Sequence, residues 1–246
     1  MRICFFLLLI CLYSCKGGFE EDYEVITLRN SFDFTVEKGK PNYKDSLDVQ
    51  VVTDGELKLF IIPMRHTTIN QSIKETNGKK KVTNFVTYSY NFIEKGKEFG
   101  LRYHSLSAES GKRIKADSIL TSLNIAPRDQ EQNSDVSGKL VHSLYNKENG
   151  TLVEEKYAGT QKGLDSLYRF YDYSMKDADF SLSPELDKKY GTKLVRITFL
   201  NNAKDTDSIK TNKDVISCQI MRGKLSNPNE IKLLMDRYHK QKAGSK

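Results

Sequence analysis

The sequence predicts an α+β fold: a mostly antiparallel, curled β-sheet with a few short helices, the last a C-terminal amphipathic helix. Three observations predict it. Runs that alternate apolar and polar residues recur along the chain, the period of a half-buried strand. Turn residues, not long helices, separate successive runs, which suits hairpins and leaves no room for parallel crossovers. Tyr (13) and Phe (12) are plentiful while Trp is absent, a mix that favours pleated surfaces.

The elements follow in order. Val25–Val36 alternates, with Phe32, Phe34 and Val36 on one face. Lys38-Gly39-Lys40-Pro41-Asn42 is a turn. Leu47–Thr53 and Glu56–Ile62 are β-rich runs flanking Asp54-Gly55, a dipeptide that suits a type I′ hairpin because both turn residues need positive φ. Pro63 is expected to end the second strand. After a polar loop at Lys74–Lys81, Val82–Ile93 alternates, and Val86, Tyr88, Tyr90 and Phe92 are its expected core side. Glu94–Glu98 turns the chain and Phe99–Leu106 returns it.

Asp117 reads as the N-cap of a helix, Asp117–Asn124, that Pro127 stops. Strands follow near Lys139–Asn146, Leu152–Tyr157 and Leu167–Tyr173. Ser183-Pro184-Glu185 opens a short helix, Ser183–Tyr190, that Gly191 ends. In Lys193–Leu200, Leu194, Arg196, Thr198 and Leu200 oppose Val195, Ile197 and Phe199; Val215–Met221 is a further strand. Asn227 caps the last helix, Asn227–Gln241, with Pro228 at its first position and Glu230 placed for a capping box. Ile231, Leu234, Met235 and Tyr238 share one face of it, expected to pack on the sheet.

The start of the chain carries the expectation of location. Arg2 precedes an apolar run, Ile3–Tyr13, too short for a spanning helix of roughly 20 residues and of the kind found in secretory leaders. Leu12-Tyr13-Ser14-Cys15 resembles a bacterial lipobox, and the acidic cluster Glu20-Glu21-Asp22-Tyr23-Glu24 resembles the export signal of Bacteroidota surface lipoproteins. The resemblance is to envelope lipoproteins of unassigned family. It implies cleavage before Cys15, lipid on the Cys15 thiol and a membrane partner through that anchor. No Asp, the residue that favours inner-membrane retention in enteric lipoproteins, follows the cysteine; Lys16 stands there. The expected location is therefore the outer membrane, and the cell surface if the acidic cluster acts. The domains expected are residues 1–14 as signal peptide, 15–24 as lipidated tether and 25–246 as one β-rich domain. The polar stretch 126–138 is the candidate sub-boundary within it.

Cys4 and Cys11 leave with such a leader, so Cys218 remains as a lone thiol without a disulfide partner. Its apolar run, Val215–Met221, suits a buried, inert cysteine. The formal charge of +7 is spread out and lacks interleaved aromatics, which argues against nucleic acid as a partner. No Cys or His pair has metal-ligand spacing, and no Gly-x-Ser-x-Gly elbow or phosphate-cradling glycine loop occurs. No cofactor, metal or catalytic residue is therefore assigned and no enzyme is expected. Glu154-Glu155 and Asp177/Asp179 are the carboxylates a glycosidase pair would draw on, and each reads more simply as a surface acid.

One triplet recurs: Asp45-Ser46-Leu47, Asp117-Ser118-Ile119, Asp165-Ser166-Leu167 and Asp207-Ser208-Ile209. It resembles the O-glycosylation acceptor motif of exported Bacteroidota proteins, which makes Ser46, Ser118, Ser166 and Ser208 candidate acceptors. The plainer reading is that Asp and Ser open turns and caps. The functional expectation is a non-enzymatic binding or structural module of the envelope, with a glycan, lipid or protein as partner. A periplasm-facing carrier of lipid or lipoprotein with an apolar cleft is the alternative, and a glycan or lipid hydrolase the second.

Overall fold

A computed structural model describes residues 23–34, 43–70, 81–122, 138–159, 164–202, 205–206, 209–210 and 214–244. Its strands are β1 (Glu24–Phe34), β2 (Tyr43–Asp54), β3 (Leu57–Asn70), β4 (Lys81–Glu94), β5 (Phe99–Tyr103), β6 (Lys112–Lys115), β7 (Lys139–Tyr145), β8 (Leu152–Ala158), β9 (Leu164–Asp172), β10 (Lys193–Asn201), β11 (Asp205–Thr206), β12 (Ile209–Lys210) and β13 (Asp214–Arg222). The helices are α1 (Ala116–Ser122), α2 (Pro184–Tyr190) and α3 (Pro228–Ala243). Eleven strands make one open sheet in the order β6-β5-β4-β3-β2-β1-β13-β10-β9-β8-β7. Every recorded pairing in it is antiparallel. The fold is α+β, as the hairpin-type connections predict.

Side chains alternate across a strand, so the sheet has a front face, carrying Ile26 and Leu28, and a back face, carrying Val25 and Thr27. On the back, Ile231, Leu234, Met235 and Tyr238 of α3 pack on Val52, Leu57, Leu59, Ile61, Tyr90, Phe92 and Tyr103. Tyr238 stacks on Phe92, ring centroids 4.5 Å apart. Burying four such side chains contributes about 6–12 kcal/mol before entropy. That outweighs the cap: Asn227 makes no side-chain cap bond, a loss of about 1 kcal/mol.

On the front, Ile119 of α1 and Met175, Ala178 and Phe180 from the segment after β9 pack on Ile26, Leu28, Val49, Val51, Phe60 and Ile220. Leu186 and Tyr190 of α2 close over Leu152, Tyr171 and Leu194. The α2 signals act as read: the Ser183 hydroxyl accepts from Leu186 N, and Gly191, at φ 62, takes the left-handed cap.

Several expectations need correction. The β2–β3 turn is Gly55-Glu56, since Asp54 still pairs with Leu57. β3 runs through Pro63 to Asn70. Beyond Ile61 it pairs with β4 alone, so its other edge needs no donor from the proline. Tyr90 and Phe92 are buried, but Val86 and Tyr88 are about half exposed, because this end of the β3–β4 hairpin runs past β2. Ser89 and Asn91 are buried on the opposite face. Helix α1 starts at Ala116, which puts Asp117 in its first turn and not at the cap. A bulge between Leu194 and Arg196 sets Leu194 on the front and Arg196 on the back. Strand β1 begins at Glu24, inside the expected tether. The leader, Cys15, Val36, most of the 126–138 stretch and Ser208 lie outside the described residues.

Candidate functional site

Register turns the alternation of single strands into rows that cross the front face. One row links Tyr157 to Leu167, Leu167 to Phe199, Phe199 to Ile216, and Ile216 to Phe32. It crosses β8, β9, β10, β13 and β1 without a charged group. Beside it, Phe34 and Tyr43 pair on β1 and β2, their rings 5.0 Å apart. None of the five row side chains belongs to the clusters formed with α1, α2 or α3. Exposure along the row runs from 3% at Leu167 to 38% at Ile216.

Charged groups bracket this row. Phe32 pairs with Asp45 on β2, whose carboxylate is held by the Arg65 guanidinium. That hydrogen bond keeps Asp45 below the ordinary carboxylate range. Arg65 also donates to the Ser46 carbonyl, so it ties β3 to β2 where their ladder has stopped. On the back face of the same strands Ser31, Asp33, Lys44, Ser46 and Val215, with Phe32 and Asp45 at the edge, line an open cleft of ≈ 540 Å³.

The next row carries Glu155, Arg169, Ile197, Cys218 and Asn30. Glu155 is 2% exposed. Its Oε2 accepts from the Tyr171 hydroxyl at 2.7 Å and its Oε1 from the Tyr190 hydroxyl at 2.6 Å. Arg169 Nη1 stands 3.7 Å from Oε2 and donates to the Tyr157 hydroxyl at 3.2 Å. Burial and the neighbouring carboxylate push Tyr157 and Tyr190 up to about 12, and Tyr171 is raised further for the same reasons. This cage fastens α2 to the sheet: Tyr190 comes from the helix, the other groups from β8 and β9. Cys218 is half-buried, and burial raises its thiol to about 11.

The carboxylates picked out in the sequence do not converge. Glu154 and Glu155 are adjacent on β8 and point to opposite faces. Asp177 pairs with Arg222 at 3.0 Å. The Asp179 amide donates to Glu24 and its carbonyl accepts from Lys58. Among the described residues no three Cys, His, Asp or Glu side chains gather as a metal site. Ser46 and Ser118 are exposed, while Ser166 is 7% exposed and bonds to Asp165. No single strand's sequence marks the apolar row or the Glu155 cage. Alternation in β1, β10 and β13 pointed to parts of the row, but pairing between strands distant in sequence was needed to join them.

No protein-family profile matches the chain, and no curated protein matches it. Among solved structures it is similar to a LolA superfamily protein from Nitrosomonas europaea, at 9% identity over 83% of this chain and 88% of that one, with a TM-score of 0.22. A likeness at that level carries no functional argument.

Proposed function

We propose that this chain is a non-enzymatic binding protein of the bacterial envelope, tethered by lipid on Cys15, that lays an acyl chain along the apolar front-face row. The row Tyr157–Leu167–Phe199–Ile216–Phe32 carries this reading. It is continuous, and no described helix packs on it. Its length suits the occupant. Five strands at ~4.8 Å spacing span about 19 Å, and one leaflet's acyl chain spans roughly 15 Å, half the hydrocarbon core. A protein partner would need a broader apolar patch with a polar rim; this one is a single row wide. Outer-membrane residence, export to the surface and glycans on the exposed Ser46 or Ser118 belong to the same reading.

The test is displacement of a fluorescent fatty acid from the purified domain. Wild type should bind it saturably. Phe199→Asp and Ile216→Lys should each weaken binding by about tenfold or more, since a charge on the row costs at least ~1.4 kcal/mol. Ser217→Lys, on the opposite face, should not. Absence of saturable binding, or equal binding by both front-face variants, overturns the proposal.

A further inference from the structure

The back face is polar where α3 does not reach it. Two adjacent rows cross β8, β9, β10 and β13 there: Glu154–Phe170–Arg196–Gln219 and Lys156–Tyr168–Thr198–Ser217. The second continues through Ser31 on β1 to Ser46 on β2. The rings of Tyr168 and Phe170 stack at 6.2 Å. The Arg196 guanidinium lies 3.8 Å from the Phe170 centroid, and Lys156 Nζ lies 5.3 Å from that of Tyr168. The Thr198 and Ser217 hydroxyls are 3.1 Å apart.

These two cations differ from their neighbours. Arg29 on the same face is taken by Asp48 at 2.6 Å, and Lys44 by Asp33 at 3.1 Å. Among the described residues, the contacts of Lys156 and Arg196 are with rings, and neither has a carboxylate partner. The Arg196 Nε is buried and has no acceptor. An orphaned buried donor costs about 1–3 kcal/mol and asks for an explanation. Stacking on Phe170 also fixes the plane of a fork that matches a carboxylate bidentately. Glu154, opposite Phe170, is an acceptor suited to sugar hydroxyls.

We propose that this back face binds an acidic glycan, one whose sugars carry carboxylates. Arg196 and Lys156 take the carboxylates, and the hydroxyl row Thr198, Ser217 and Ser31 bonds the sugar hydroxyls. The two rows hold no aliphatic side chain on β8–β13, unlike a face that enters a membrane. Lys156 and Glu154 are residue types depleted from protein–protein interface cores. The site is independent of the acyl row, which lies on the other side of the sheet.

The experiment is calorimetric titration of the full domain with oligogalacturonate. Neutral maltooligosaccharide, polyphosphate and phosphatidylglycerol vesicles are titrated in parallel. Saturable, salt-sensitive binding of oligogalacturonate is expected, at least tenfold tighter than of the other three. Arg196→Gln should weaken it tenfold or more and Lys156→Gln threefold or more, with fluorescent fatty-acid binding unchanged in both. If Arg196→Gln fails to fold, the Lys156→Gln result decides. No binding of oligogalacturonate, equal binding of polyphosphate or vesicles, or wild-type affinity in Lys156→Gln overturns the proposal. Failure of fatty-acid binding alone would overturn only the acyl reading.

Discussion

An acyl site built as one row across a sheet should measure chain length. The row spans β8 to β1, four inter-strand spacings, or about 19 Å. A zigzag chain of ~1.5 Å carbon–carbon bonds advances about 1.25 Å per carbon, so about 15 carbons fill it. A fully buried methylene gains about 0.8 kcal/mol. On an open row only about half its surface meets protein, leaving about 0.4 kcal/mol. Each two-carbon extension should then tighten binding about fourfold. From about 8 to about 16 carbons the total is on the order of 3 kcal/mol, or roughly 200-fold. Past that length the gain should fall to near zero. Competition of saturated fatty acids from about 8 to about 20 carbons against the fluorescent probe, below their micellar concentrations, reads this directly. Ile216→Lys breaks the row near one end and should move the plateau to shorter chains. Affinity independent of length, a rise that continues unbroken to the longest chain, or an unmoved plateau in Ile216→Lys would refute the reasoning.

The remaining expectations concern stability and the anchor. Glu155→Gln replaces one of the two buried oxygens that accept from the phenols by an NH2 and removes the counter-charge of Arg169; it should cost about 2 kcal/mol and lower the melting temperature by about 4–8 °C, and an unchanged melting curve would show that α2 is held otherwise. The phenols of Tyr157 and Tyr190 stay protonated in the fold up to about 12, against about 10 unfolded. Their contribution should be intact below pH 10 and drain away as pH rises toward 12; denaturant melts that do not weaken over that window count against it. Cys218, half-buried with a thiol raised to about 11, should react with a disulfide reagent at pH 8 far more slowly in native than in denatured protein; equal rates would show the thiol open. Mass spectrometry of the membrane-extracted protein should find lipid on Cys15, and Cys15→Ala should release it to the soluble fraction; a membrane-bound variant would remove the anchor from the proposal.

Strand existence was legible because half-buried strands write a period of two into the sequence. Ile216, Cys218 and Ile220 show it, and so do Phe32 and Phe34. The breaks in that period were not legible. The bulge beside Val195 moves Leu194 to the face opposite Arg196, and nothing local marks it. Pro63 reads as a stop only if both strand edges are paired; one is open, so the strand continues. Asp54-Gly55 found the hairpin but slipped its turn by one residue. In Glu154-Glu155, alternation dictates that the two carboxylates part. That Glu155 becomes the buried one depends on Tyr190, brought back over the sheet by a helix about 35 residues away. The row and the cage are both products of pairing, and pairing is written in no single segment.

Strand β1 sits between β2, which follows it directly, and β13, the last strand among the described residues. Ile26 pairs with Arg222 and Asp33 with Val215, across nearly the whole described chain. A chain that is delivered from its N-terminus makes the β1–β2 hairpin early and then waits. Until β13 arrives, one side of β1 is a bare ladder, with Ile26, Leu28 and Phe32 on it. Such a ladder invites wrong partners, and the closure it awaits is of the slow, long-range kind. The sheet therefore closes only once β13 has been delivered. A C-terminal truncation before β13 should leave half a sheet, with its middle strand turned into an edge, and such a fragment is expected to aggregate.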